Sequence, residues 1–198
     1  MLKFAQGEIR QAHDFFESSL QLTKSLHDMK MAASCRIRIA KCHSRSGNPT
    51  LPANILAETA LVVEELEDRQ GRSDIAVAMG EQEIASGRLS NASRLFLEAM
   101  RLQMEMKMGT RVGMLDCVYC LAKLAFTKDD LMLSLKLLSY EKQGREGMGN
   151  PISPIYRDER QAIIVAIRDE MSASEFELAW TEGASLEPNL ILSAFTDL

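Results

Sequence analysis

Cys117 and Cys120 form a Cys-x-x-Cys pair, a spacing that can hold a metal ion or support thiol redox chemistry. Metal sites generally place such a pair on a turn and need two further ligands. Here the pair falls inside a predicted helix, and the other two cysteines, Cys35 and Cys42, are two helical turns apart in another unit. Free cysteine also behaves as a small apolar residue. We therefore interpret the four thiols as packing residues and expect neither a metal nor a cofactor.

Residues suited to acid–base or nucleophilic catalysis occur without a recognised arrangement. His13, His27 and His43 fall in no His-x-x-x-His or Glu-x-x-His spacing. No serine, cysteine or lysine lies in a nucleophile elbow, and no Gly-x-x-x-x-Gly-Lys-Ser/Thr loop is present to hold a phosphate. The sequence predicts that the chain is not an enzyme. A small enzyme with its site in a groove between helices is the least favoured alternative.

Composition indicates which elements must position any site. The 198 residues are 46% hydrophobic and 26% charged, with only 6% aromatics and 5 prolines. Strong helix formers dominate, which favours an all-α fold. The net charge of −5 argues against a nucleic-acid surface, which would be basic. Apolar runs are far shorter than the roughly 20 residues that cross a bilayer, and no leader opens the chain. We expect a cytoplasmic protein without membrane or nucleic-acid contact.

A repeat of about 40 residues organises most of the chain. Gly7, Gly47 and Gly87 are spaced by 40 residues, and Asp129 takes the equivalent place in the next unit. Small residues recur at two fixed distances from these markers, and large apolar residues follow one turn later. The small residues are Ala40, Gly80 and Ala122, then Ala12, Ala92 and Ser134, and the large ones are Phe16, Phe96 and Leu138. This spacing predicts helical hairpins that approach closely and stack, since one hairpin cannot cover its own apolar face.

The pattern divides the chain into two parts. Residues 1–146 are predicted to form about three and a half hairpins, and residues 147–198 to form C-terminal capping helices. The repeat helices are expected at about 8–27, 29–46, 52–68, 72–86, 89–107, 110–127 and 130–146.

The C-terminal part has its own signals. A loop rich in glycine and proline precedes a helix predicted over 155–171. Ser172 and Glu175 have the spacing of a capping box for a following helix, which we expect to stop at Gly183. Ser185 is predicted to cap the last helix.

Small residues at these places on helical hairpins resemble tetratricopeptide repeats (TPRs), in a long form. The C-terminal part is similar to the end of the large ATP-binding transcriptional regulators of the LuxR/MalT-like type and related multidomain signalling proteins. The segments that carry this similarity are Ser134-Leu-Lys-Leu-Leu-Ser139, Arg145-Glu-Gly-Met-Gly149, Tyr156-Arg-Asp-Glu159 and Phe176-Glu-Leu-Ala-Trp180-Thr-Glu-Gly183. The resemblance covers essentially the whole chain. It implies a right-handed α-solenoid of TPR-like hairpins with a helical cap.

The resemblance also implies a binding groove, because the first helix of each TPR hairpin lines the inner face. The positions that correspond are Ile37, Lys41, Arg45, Val77, Glu81, Ile84, Asp116, Tyr119, Lys123 and Phe126. Aromatic and basic side chains on one face suit a peptide segment or an anionic small ligand. The alternative is that the apolar members pack between helices.

Taken as a member of this group, the chain is expected to be a non-catalytic scaffold. It would bind a protein or peptide partner, or a small effector, as the regulatory repeat region of a bacterial signalling or transcriptional regulator. A standalone structural adaptor is the alternative.

Overall fold

The computed structural model describes residues 2–47, 50–106, 111–150, 152 and 154–195, and every regular element in these ranges is a helix. The helices are α1 Leu2–Ala5, α2 Ile9–Ser25, α3 Met29–Arg45, α4 Thr50–Glu65, α5 Arg69–Ala85, α6 Leu89–Glu105, α7 Arg111–Thr127, α8 Leu131–Gly147, α9 Pro154–Glu170, α10 Ala173–Ala184 and α11 Pro188–Ala194. The all-α prediction is confirmed. All seven predicted repeat helices occur, with ends shifted by a few residues.

Each helix from α2 to α8 packs against its neighbours in sequence. The turn inside each pair needs one residue in the left-handed region. Gly7, Gly47 and Gly87 have φ of +81°, +78° and +74°, and Asp129, at the equivalent place, has +65°. Glycine adopts this conformation without a Cβ clash, and aspartate tolerates it better than most residues. The recurring glycines therefore mark turns of one geometry.

The recurring small residues lie where helices approach one another. Ala40, Ala92 and Ala122 are all fully buried. Ser134 is buried too, and its hydroxyl donates a hydrogen bond of 2.9 Å to the carbonyl of Ala122, which joins α8 to α7. At Gly80 an added Cβ would lie 2.4 Å from Cε1 of Phe96, whose ring fills the space beside the α5 backbone.

Among the described residues, the buried apolar side chains form three clusters. One joins α2 to α3, and a second joins α3, α4 and α5. The largest extends from α5 to α11 and includes Ile163, Ile164 and Ile167 of α9. The C-terminal helices therefore share a continuous core with the preceding helix pairs.

Two predictions about the C-terminal helices are wrong. Gly183 does not stop α10 but lies within it, where an added Cβ would come within 2.3 Å of the Lys136 carbonyl oxygen on α8. This glycine serves close helix packing. Ser185 follows the end of α10, and α11 begins after Glu187 with Pro188 in its first turn.

The predicted capping box is confirmed. The Ser172 hydroxyl accepts from the Glu175 N–H at 3.3 Å, and the Glu175 carboxylate accepts from the Ser172 N–H at 3.1 Å. Across the part of the chain that the structure describes, no helix is long and apolar enough to cross a membrane.

Replacing Gly80 with Ala should destabilise the protein by about 1–3 kcal/mol, because the new methyl group would overlap the buried Phe96 ring. Urea unfolding followed by circular dichroism measures this difference. Gly147→Ala is the matched control, since a Cβ there meets nothing within 4 Å. It should leave stability unchanged or raise it by up to about 1 kcal/mol through helix propensity. Equal effects of the two substitutions would show that α5 and α6 do not depend on this close contact.

Candidate binding site

Two neighbouring cavities of about 420 and 250 Å³ lie between α3, α5, α7 and α9. They share Phe4, Lys41, Glu81 and Tyr156 in their walls. We call the two cavities together the cleft. Its lining includes residues of α1, α3, α5 and α7, each the first helix of a pair, together with residues of α8 and α9.

Seven of the ten predicted groove positions line the cleft. They are Lys41, Arg45, Val77, Glu81, Asp116, Tyr119 and Lys123. The other three do not line either cavity. Ile37 is only 3% exposed and packs with side chains of α4 and α5, while Ile84 and Phe126 are partly buried against the largest core cluster. These three residues therefore pack between helices, as the alternative interpretation of the sequence predicted.

The repeat places one charged side chain from each first helix in equivalent positions of the cleft, namely Lys41, Glu81 and Lys123. Burial opposes the charged form of Lys41, but the nearby acidic groups, Glu81 first and then Tyr156 and Asp74, together outweigh it and raise the pKa of Lys41 above its usual value. Among the described residues, Lys41 has no ion-pair partner within 4.0 Å. Its ammonium group is therefore charged and open to a ligand.

The Glu159 carboxylate of α9 lies close to donor groups from two helices of the cleft, α3 and α7. Its carboxylate accepts from Lys123 Nζ at 2.6 Å and from the Tyr119 hydroxyl at 3.1 Å, and Arg45 Nη2 lies 3.7 Å away. Burial tends to raise the pKa of Glu159, but Lys123 and Arg45 outweigh it and hold the pKa below its usual value. Burial and the Glu159 charge raise the pKa of Tyr119, which keeps its phenol protonated as a donor.

Tyr156 of α9 lies against two of the same residues. The Arg45 guanidinium carbon is 5.0 Å from the Tyr156 ring centroid, a cation–π distance. The Tyr119 ring meets the Tyr156 ring edge-on, with centroids 5.7 Å apart. Burial raises the pKa of Tyr156 to about 12. Sequence reasoning missed both α9 residues as site residues, although their three-residue spacing places them on one helix face.

A buried ionic cluster fixes α9 beside the cleft. The Glu141 carboxylate of α8, only 1% exposed, accepts from Arg145 on the same helix and from Nε of Arg160 on α9 at 3.2 Å. Arg160 also donates to the Leu138 carbonyl at 2.9 Å, and Arg145 pairs with Asp116 of α7. Burial opposes the charge of Arg145, but Asp116 and Glu141 outweigh it and raise its pKa.

The thiols are poorly suited to chemistry. All four cysteines are free and buried, and burial raises the pKa of Cys42 to about 11 and that of Cys117 to about 12. The Cys35 and Cys120 thiols also have raised pKa values, for the same reason. Within the described ranges, no three His, Cys, Asp or Glu side chains are grouped so that they could hold a metal ion. The thiols pack as small apolar groups.

Replacing Glu159 with Gln should lower the melting temperature at pH 7, and the difference from the parent should disappear as the pH falls below about 4. The folded-state pKa of Glu159 is lowered, so its stabilisation is present above the unfolded pKa and is lost as the pH falls through the folded one. A partly exposed ion pair contributes about 1 kcal/mol or less. Melting curves of both proteins between pH 7 and 3.5 test this. Glu177→Gln, at an exposed position of α10, should give no pH-dependent difference. A difference for Glu159→Gln that persists unchanged at low pH would contradict the ionic role.

Comparison of the chain with protein-family models, with curated proteins and with solved structures gave no match. Function is therefore inferred from the shape and charges of the cleft.

Proposed function

We propose that the chain is a non-catalytic TPR-type scaffold, a right-handed α-solenoid whose cleft binds a protein segment or a small effector. We further propose that it acts in the cytoplasm as the regulatory repeat region of a bacterial signalling or transcriptional regulator. The repeated turn geometry and the small residues at helix contacts support the TPR assignment. The free thiols support a reducing compartment.

The observation that carries the proposal is the larger cavity itself. Its volume of about 420 Å³ is large enough for several side chains of a bound protein segment or for a small molecule. Successive helix pairs contribute cationic groups to its wall, among them the Lys41 ammonium, which has no ion-pair partner within 4.0 Å among the described residues. Those groups are Lys41, Arg45, Arg88 and Lys123, with Glu81 as the carboxylate. A ligand that spans several first helices would recognise the repeat arrangement rather than one loop.

Catalysis is not part of the proposal, because the histidines lie outside the cleft and the cysteine at the cleft is held as a thiol. Within the described residues, no histidine lines either cavity. His43 lies instead against His13, with ring centroids 4.9 Å apart, and burial lowers its pKa. Cys120 does line the smaller cavity, but burial raises its pKa well above the usual value and leaves it a thiol.

Replacing Lys41 with Met should weaken binding at the cleft about tenfold or more, because a ligand carboxylate would lose a charged hydrogen bond. Random peptides displayed on phage would be selected against the parent chain, and their affinities for both proteins measured by fluorescence anisotropy. Lys30→Met is the control, since Lys30 lies on the same helix at an exposed position outside both cavities. We expect it to bind as the parent does. The proposal fails if selection yields no binding peptide, or if the two variants bind alike.

A further inference from the structure

The two ends of α9 are held in different ways. Its later turns place Ile163, Ile164 and Ile167 in the largest core cluster, and the buried Arg160 joins them to Glu141. Its first turns, Pro154–Glu159, line the cleft through an ion-pair cluster and ring contacts, and Tyr156 also packs, partly buried, against the same core cluster. The later turns are therefore anchored by fully packed isoleucines, whereas the first turns reach the core through the Tyr156 ring and otherwise lie where a ligand would.

The contacts of these first turns have the chemistry of recognition. A carboxylate is bound by an ammonium, a phenol and a guanidinium that come from α3 and α7. An aromatic ring three residues earlier fits between Arg45 and Tyr119. The cleft thus already binds one helical segment with an aromatic residue and a carboxylate three residues apart.

We propose that Pro154–Glu159 is a built-in ligand of the cleft, and that a partner protein binds there by displacing it with its own helical segment carrying Tyr or Phe three residues before Glu. This inference rests on the proposed function and names its partner class. Arg160, held by Glu141 and the Leu138 carbonyl, marks where the displaced turns meet the fixed part of α9.

Displacement is an exchange of similar contacts. The side chains of Glu159, Arg45 and Lys123 are 34%, 30% and 18% exposed, so water already reaches the cluster that must open. A partner carboxylate would restore the same pairs, so the exchange leaves none of the three donors without an acceptor. Tyr156 lines both cavities of the cleft, so its withdrawal would join the two cavities into one.

Because the built-in ligand is tethered, it competes at an effective concentration on the order of millimolar. A free segment must therefore bind the parent chain weakly. Removing the two recognition side chains from the chain's own α9 frees the cleft, so the same segment should then bind more tightly.

The test uses a fluorescein-labelled peptide with the sequence of residues 154–170 in which Ile163, Ile164 and Ile167 are replaced by Ala. This peptide keeps the recognition pair and lacks the apolar face that packs in the core. The 198-residue chain carrying Tyr156→Ala and Glu159→Ala should bind it at least tenfold more tightly than the parent chain. Adding Lys123→Ala to that variant should remove this gain in affinity for the peptide. A control peptide with Ala for Tyr156 and Gln for Glu159 should bind neither protein.

The inference is overturned if the parent and the double variant bind the peptide equally, or if the control peptide binds as well. Circular dichroism and a cooperative melt establish that the variant is folded. If it is not, Glu159→Gln alone, which keeps the side-chain size, should show a gain in the same direction. If Lys41→Met weakens binding of the phage-selected peptides, but the Tyr156→Ala, Glu159→Ala variant binds the labelled peptide no more tightly than the parent, the proposed binding function is retained and the built-in ligand is rejected.

Discussion

The carboxylate of Glu141 is the group around which the cleft is built. It is almost completely buried, and it forms ion pairs with both Arg145 and Arg160. Leaving such a group without one partner costs about 3–5 kcal/mol. Arg160 therefore fixes α9 against α8, and the pairing of Arg145 with Asp116 extends the constraint to α7. Glu159, one residue before Arg160, is placed at the cleft as a consequence.

The repeat could be predicted from sequence because its physical requirements fall on single residues. A left-handed turn favours glycine, and a close helix contact favours Gly, Ala or Ser, so both leave a mark at a fixed spacing. Gly183 shows the limit of that reasoning. Glycine ends helices and also permits close packing, and only the Lys136 backbone, distant in sequence, shows which role applies.

The cleft could be predicted in part. Lys41, Glu81 and Lys123 are spaced by 40 and 42 residues, and the resemblance to TPRs assigned their position to the inner face. Ile37 lies one turn before Lys41, and no sequence rule separates a residue at the edge of that face from one that packs on α4. Tyr156 and Glu159 were missed because α9 lies outside the repeat, and its place depends on tertiary contacts with Glu141 and the core.

The charges of the cleft also decide which partner can replace the first turns of α9. When Glu159 leaves, Lys123 and Arg45 remain partly desolvated, and Tyr119 keeps a phenol whose acceptor has gone. A polar group left without its partner costs more than the same bond contributes when made. A segment without a carboxylate would leave that cost in place, whereas one with a glutamate in register removes it. Selectivity therefore comes from the penalty on wrong partners as much as from attraction to the right one.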